Sequence, residues 1–256
     1  MEIEKIDKLT KLLLRLQDLN KNSDAVPFGE RERGFLALAT CRDIALAQQN
    51  VLSSGMGAAE LWRMWSRNNR ILPDQAAKLR VELEPNHILQ KVLAEHDMVL
   101  CFISDLEDTG RDIAGLNFAS SSNTEIRKLA HISEHLSASE QHREREEYVI
   151  YPELERRGYT KLLKIIYEQH HQISEQISKL KKLIWQVDLK DFDAFKYELK
   201  EIVDYLVVAM RIHIFMETNI IFPLAIEVIN SDVVWARIKN LCEEIGYCGY
   251  DVRWRN

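Results

Sequence analysis

The amino-acid sequence predicts an all-α protein: an antiparallel four-helix bundle made of two repeated helical hairpins, with additional helices at its N-terminus. Three observations support this prediction. The 256 residues include only nine Gly and five Pro, so residues that break helices are scarce. Apolar residues recur at helical spacing, and no stretch alternates as a strand would. Four long helical segments follow one another with short connections, which is typical of antiparallel bundles.

The N-terminal third of the chain, residues 1–84, is predicted to be a helical region outside the bundle. A break is expected near the sequence NKNSDAVPFG, and Gly55 and Gly57 are placed to end the second helix. The helices are expected over residues 2–20, 30–53, 58–68 and 74–83.

The predicted bundle occupies residues 85–230. Ser122 and Glu125 have the spacing of a capping box before the second helix, and Gly158 is placed to end that helix. The sequence EDTGRD is expected to stop the first helix. The four helices are expected over 86–107, from the Ser122 cap to 157, over 160–187 and over 191–229. A short helix over 232–244 is expected within the remaining residues, 231–256.

An internal repeat relates the two hairpins. The segment LAEHDMVLCFISDL (93–106) aligns with YEQHHQISEQISKL (167–180). The later segments HREREEYVIYP (142–152) and HIFMETNIIFP (213–223) then share one frame, with Glu four residues after His and an aromatic-Pro pair at the end. Each proline lies within a predicted helix and is expected to remove a hydrogen bond and kink it. Each hairpin thus contributes one His from its first helix and HxxxE from its second.

The repeated His and Glu residues predict a metal site. Residues four apart share one face of a helix, about 6 Å apart along its axis, so each HxxxE frame can reach one pocket. Four imidazoles and two carboxylates pointing inward match the dinuclear sites that helical bundles build in their cores, and they suit Fe, Mn or Zn. The alternative is an ordinary exposed His–Glu pair, which the apolar flanks of His213 disfavour. The predicted metal ligands are His96, His142, Glu146, His170, His213 and Glu217.

Two of these ligand assignments choose between adjacent residues, and the repeat frame or the helix face decides them. Glu146 and Glu217 each lie six residues before a proline, whereas the neighbouring Glu147 is out of frame and is expected at the surface or beside the site. His170 shares its helix face with apolar residues, whereas His171 shares its face with polar residues and is expected to be solvated.

Other polar residues near these frames are expected to have different roles. HISEH (131–135) matches a short zinc-peptidase pattern, which is easily met in a chain with eight His. His131 and His135 lie on the same predicted helix face as His142 and Glu146, so they are expected to line the cavity beside the site or to lie in the core, and the zinc-peptidase site is the alternative. His87 is expected to have a structural role, and Tyr148 is expected to point away from the site. The residues expected mainly on the solvated side are Arg143, Glu144, Arg145 and Glu147.

Composition excludes some classes of partner. The net charge is −6 and no long basic run occurs, so nucleic acid is not expected. The N-terminus has no signal-peptide core, and the longest apolar stretch, around 220–229, is too short to cross a bilayer. The four cysteines form no CxxC pair, which favours a reducing compartment. We expect a soluble cytoplasmic protein without membrane partners.

The two HxxxE frames, their aromatic-Pro pairs and the preceding single histidines resemble the hemerythrin-like HHE cation-binding domain family over about residues 85–229. The segments DIALAQQNVLSSGM (43–56) and WARIKNLCEEIGYC (235–248) resemble the flanks of a subgroup with an extra N-terminal helical region. Longer members of that subgroup carry a PAS sensor domain, which is not expected here. The resemblance implies two iron ions held by the six predicted ligands, with Glu146 and Glu217 bridging them.

The chain departs from the oxygen-carrying members of that family, which have a fifth His four residues after the first His of the third helix. Ser174 stands at that position. The departure implies an open position for O2, NO or peroxide, and a protein that binds or senses O2 or NO. Alternatives are an enzyme acting on NO or peroxide, an iron-sulfur or iron-centre repair factor, or an interaction module whose site is partly lost. A signalling protein, or a second copy bound through the N-terminal helices, is the expected partner.

Overall fold

The computed structural model describes residues 2–21, 29–68 and 74–248, and within these ranges all regular structure is helical. The predicted break at NKNSDAVPFG lies mostly outside the described residues. The predicted helix over 30–53 is two helices, because Thr40 starts a new one by forming a capping box with Asp43. The N-terminal helices are α1 (Glu2–Lys21), α2 (Glu30–Ala37), α3 (Cys41–Ser53), α4 (Ala58–Asn68) and α5 (Gln75–Glu82).

Four helical arms form the predicted bundle. The first and third arms are single helices, whereas the second and fourth are composite. The elements are α6 (Ile88–Ala114); α7 (Thr124–Ala138), α8 (Glu140–Arg145), π1 (Glu146–Ile150) and α9 (Tyr151–Glu155); α10 (Thr160–Trp185); and α11 (Phe192–Met216), π2 (Glu217–Ile221) and α12 (Phe222–Val228). A further helix, α13 (Asp232–Ile245), follows the bundle. Helices α6 and α10 each pack against both α7 and α11, so the arms close into a ring, and the predicted fold class is confirmed.

The first arm is longer than the sequence predicted. Helix α6 passes through EDTGRD and ends at Ala114. Gly110 does not break it, because this glycine lies where the helix approaches α11 closely. A Cβ added to Gly110 would lie 3.3 Å from a methyl group of Val203, so the glycine permits close helix packing.

The second arm starts one residue later than predicted. The predicted capping box between Ser122 and Glu125 is wrong, because the N-cap residue is Asn123. The Oδ1 atom of Asn123 accepts a hydrogen bond from the backbone N–H of Ser120 at 2.8 Å. The arm is also interrupted between α7 and α8, at Ser139, where a continuous helix was expected. Gly158 follows the arm with a φ of +93°, as its predicted role at the helix end requires.

Each composite arm contains one π-helical turn, directly before its proline. Pro152 and Pro223 are the second residues of α9 and α12, so their missing N–H groups fall at the start of a helix. The π turn before each proline has a wider hydrogen-bonding pattern, so the arm continues into the next helix despite the missing N–H group. Glu146 and Glu217 are the first residues of the two π turns, so the sequence repeat is also a repeat of structure.

Two apolar cores fill the molecule. One joins the N-terminal helices to the proline-containing ends of the arms, where α3 packs against α10, π2 and α12. The other fills the opposite half of the bundle. The helical stretch 192–228 is long and apolar enough to cross a membrane, but 78% of its most apolar window is buried inside the protein. A core helix has the same properties, so the stretch is weak evidence for a membrane span.

Candidate metal centre

The structure brings the six predicted ligand residues together at the centre of the bundle. All six are buried. The two imidazoles of each hairpin form a pair with facing Nε2 atoms. His96 and His142 are 2.8 Å apart at these atoms, and so are His170 and His213.

Both carboxylates reach both histidine pairs. Glu146 places Oε1 3.0 Å from His142 Nε2 and Oε2 3.6 Å from His170 Nε2. Glu217 places Oε1 3.0 Å from His213 Nε2 and Oε2 3.1 Å from His96 Nε2. Each carboxylate therefore has one oxygen beside each pair, which is the arrangement of a bridging ligand.

These spacings fit metal coordination. Neighbouring ligand atoms around an ion with bonds of about 2.1 Å lie about 3 Å apart at right angles. Both oxygens of Glu146 and one of Glu217 are buried without a hydrogen-bond partner in the described structure. Buried acceptors left in this way are costly unless a cation is bound. Two groups of ligand atoms could each hold a metal ion: His96, His142, Glu146 and Glu217; and Glu146, His170, His213 and Glu217.

The two carboxylates are ionised at neutral pH. Burial and the neighbouring Glu217 raise the pKa of Glu146, but His142 and His96 outweigh them and lower this pKa to about 2. For Glu217, burial is likewise outweighed by His213, His170 and His96, which hold its pKa well below the usual value. Both residues thus carry the charge that a metal ligand needs.

Neighbouring side chains hold three of the four ring nitrogens that face away from the centre, whereas His96 Nδ1 has no hydrogen-bond partner in the described structure. Such partners fix the orientation of a ligating imidazole and raise its basicity. The contacts are His142 Nδ1 to Glu95 at 2.7 Å, His213 Nδ1 to Gln169 at 2.9 Å and His170 Nδ1 to Glu147 at 2.6 Å. Sequence reasoning missed Glu95 and Gln169, although they align in the repeat, each directly before the His of its own helix.

Aromatic residues cover the imidazoles at equivalent places in the two hairpins. The ring of Tyr151 is stacked on His170 and that of Phe222 on His96, at centroid distances of 6.1 and 5.6 Å. Tyr151 also donates a hydrogen bond to Glu217. Burial and the two carboxylates raise its pKa well above the usual value, so it stays protonated as a donor. Sequence reasoning used Tyr151 only to set the frame and assigned it no role.

Replacing Tyr151 with Phe should weaken metal binding without unfolding the protein. The variant keeps the ring but loses the hydrogen bond that orients Glu217, and such losses cost about 10- to 100-fold in metal affinity. A competition titration with a metal-binding dye measures the change. Tyr148→Phe is the matched control, because Tyr148 is 71% exposed, as expected, and should bind metal like the wild type. Equal affinities for the two variants would contradict the role given to Tyr151.

Arg145 is a correction to the sequence analysis, which placed it on the solvated side. Its side chain is fully buried. It donates hydrogen bonds to Glu95 and to the carbonyl oxygen of Gly246, and its guanidinium lies 4.9 Å from the centroid of the Tyr247 ring. The backbone N–H of Cys248 donates to Glu95 at 3.1 Å. The segment after α13 is therefore packed against the residue that holds His142.

The other histidines lie outside the cluster. The expectation that His131 and His135 line the cavity or lie in the core is wrong: His131 is exposed, and His135 is partly buried and stacked on Phe102. Neither belongs to a metal-binding group of three or more ligand atoms among the described residues. His87 caps α6 through Nδ1, a structural role, as expected. His171 is exposed, as expected.

A cavity of about 160 Å³ adjoins all four imidazoles of the cluster. Its polar wall comes from the break between α7 and α8 and from the facing side of α10. Ser174, one helical turn after His170, is part of this wall. A small molecule in the cavity would therefore lie against the four imidazoles and Ser174.

Comparison with protein families agrees with this geometry. The family model described as the hemerythrin HHE cation binding domain matches residues 87–225, which is more than half of the chain. The match contains all six clustered residues and both π turns. Comparison with curated protein sequences finds no match. The chain belongs to the hemerythrin HHE cation-binding domain family.

Proposed function

We propose that this chain is a cytoplasmic non-haem di-iron protein that binds or senses O2 or NO. The observation that carries the proposal is the pair of ligand groups that share Glu146 and Glu217. The adjoining cavity supports it further, because it could admit a molecule of two or three atoms to the same centre.

Four imidazoles and two shared carboxylates favour iron as the metal. Imidazole is a good ligand for iron and zinc, whereas manganese prefers sites richer in oxygen. Iron can supply electrons to O2 or NO when it is bound, which zinc cannot. Two imidazoles and two carboxylate oxygens would hold each ion, so positions for other ligands would stay open on an ion that takes six.

The protein residues around the centre would position the ligands and restrict water. Glu95, Gln169 and Glu147 hold the Nδ1 atoms of three imidazoles, which keeps the Nε2 atoms pointing at the metal positions. Tyr151 keeps its proton and fixes one oxygen of Glu217. Apolar side chains, including Val99 and Ile173, line part of the cavity and limit the water beside the ions.

The N-terminal helices offer a route for signalling. Helices α3 and α5 pack against π2, the turn that starts with Glu217. A change at Glu217 on ligand binding would therefore reach the N-terminal region, where a signalling partner or a second copy would bind. This contact favours a sensor over the alternative, an enzyme that turns over NO or peroxide.

Metal analysis and absorption spectroscopy test the proposal. Protein produced with iron should hold about two iron ions per chain, one for each ligand group, and the air-exposed protein should show oxo-bridged di-iron absorption. NO should bind to the reduced protein without steady consumption. His131→Ala is the control and should leave the metal content unchanged. A content well below two ions together with no such absorption contradicts the proposal, and steady turnover of NO or peroxide with a reductant favours the enzyme.

A further inference from the structure

The wall of the cavity contains one strong hydrogen-bond donor with a permanent charge, Arg143 of α8. It is the only Arg or Lys among the described residues that line the cavity. Its guanidinium donates from Nη1 to Ser174 Oγ and from Nη2 to Glu140 Oε1, the latter at 3.0 Å. The contact with Ser174 crosses from α8 to α10, at the position one helical turn after His170. The guanidinium thus occupies the part of the wall where the fifth His of the oxygen carriers is missing.

The guanidinium retains donors for a bound ligand. An arginine has five N–H groups in a planar fork, and these contacts use two of them. The Nε atom is 3.9 Å from Glu147, which is too far for a hydrogen bond. Glu147 instead accepts a hydrogen bond from His170 Nδ1. The contact with Ser174, one helical turn after His170, fixes the fork relative to that histidine. The side chain is only 25% exposed, which limits competition from bulk water.

We infer that Arg143 is a specificity-determining residue that donates hydrogen bonds to a small anion in the cavity. The inference rests on the proposed function, because it places that anion beside the iron ions. The proposed iron ions, held by the imidazoles, would lie on one side of the cavity and Arg143 lies on its wall, so an anion there would meet positive charge on both sides; Glu140 is the one carboxylate among the described lining residues. Glu140 and Glu147 lie 3.0 and 3.9 Å from the guanidinium and offset part of its charge. A neutral molecule such as NO or O2 would gain much less from the guanidinium.

A purely structural role is the competing explanation for Arg143. The contact with Ser174 joins α8 to α10 across the interruption of the second arm, and this could be its whole purpose. The two roles predict different behaviour. A structural brace affects metal retention or all ligands together, whereas a ligand donor affects anions selectively.

Azide and NO distinguish the two roles. Azide is titrated into the air-oxidised, iron-loaded full chain, and NO into the reduced chain, with absorption as the readout. Arg143→Gln should weaken azide binding about ten- to hundredfold, the effect of losing hydrogen bonds to a charged group. NO binding should stay within about threefold. Arg143→Lys keeps the charge without the fork and should give an intermediate azide affinity.

Arg211→Gln is the matched control. Arg211 also forms an ion pair, with Glu107, but this pair is about half exposed and outside the cavity wall. Its variant should bind azide and NO like the wild type. An unchanged azide affinity in Arg143→Gln, or equal losses for azide and NO, overturns the inference.

Iron content separates the remaining outcomes. If both Arg143 variants lose their iron, the residue is a structural brace and the inference is overturned. If the wild-type chain itself holds no iron, the proposed function fails and the inference fails with it. If the wild-type chain holds iron but its azide affinity does not depend on Arg143, only the inference is overturned. The proposed function is then unaffected.

Discussion

Replacing Glu217 with Ala should abolish binding of both proposed metal ions, although it removes only one of six candidate ligands. Its two oxygens lie 3.0 Å from His213 Nε2 and 3.1 Å from His96 Nε2, one beside each histidine pair. The substitution therefore takes one ligand from each ion at once. Metal analysis of purified protein should show a fall from about two ions per chain to background.

The control for this experiment lies in the other composite arm. Glu144 belongs to α8 and is in neither of the two ligand groups found among the described residues. Glu144→Ala should keep the wild-type metal content. Circular dichroism should show that the Glu217→Ala chain remains helical, so that loss of metal is not loss of fold. Retention of two ions by the Glu217 variant would show that the carboxylate does not bridge the pairs.

The bundle and the clustered residues were predictable because they repeat. A lone His–Glu pair four residues apart carries little information in a helical, charged chain. Two copies in one frame restrict the choice, and the proline frame separates Glu146 from its neighbour Glu147. The structure places Glu146 and Glu217 at the same point of the two π turns, which explains why counting from the prolines identified equivalent residues.

The residues that support the cluster were harder to predict, because their roles depend on contacts between distant segments. Glu95 lies directly before His96 on α6, yet it holds His142, on another helix. Arg145 lies in a run of charged residues, a pattern that predicts a solvated helix face. It is buried because α13 and the segment after it cover that face, and helical periodicity within one arm cannot show what covers it.

Local sequence signals also predict the wrong structure where tertiary packing outweighs them. The segment EDTGRD contains Gly110 and many polar residues, and it was expected to end the first helix. In the bundle, α6 instead continues, because Gly110 allows close packing against Val203, Thr109 is buried, and the charged residues Asp108, Arg111 and Asp112 are exposed. For HISEH, helical phase suggested an inward face, but the interruption at Ser139 breaks the phase between α7 and α8. The helix face that carries His142 is therefore not continuous with the face that carries His131.

Replacing Arg145 with Met should destabilise the protein by about 3–5 kcal/mol, the range seen when one partner of a buried ion pair is removed. The variant leaves the buried carboxylate of Glu95 without its guanidinium and the carbonyl oxygen of Gly246 without its donor. For a chain of this size, thermal unfolding followed by circular dichroism should show a Tm lower by about 10 °C. Arg211→Met, in an exposed pair, should change stability by less than about 1 kcal/mol.

A double variant tests whether the loss of stability in Arg145→Met arises from the unpaired carboxylate of Glu95. Burial raises the pKa of Glu95, but His142 and Arg145 outweigh it and lower this pKa, so Glu95 is charged at neutral pH. Adding Glu95→Gln to Arg145→Met removes the unpaired charge. The loss of stability in the double variant should therefore be much smaller than the sum of the losses in the two single variants. Additive costs would mean that Arg145 acts mainly by holding Gly246 and Tyr247. In that case the segment after α13, rather than the carboxylate beside His142, would account for the burial of this arginine.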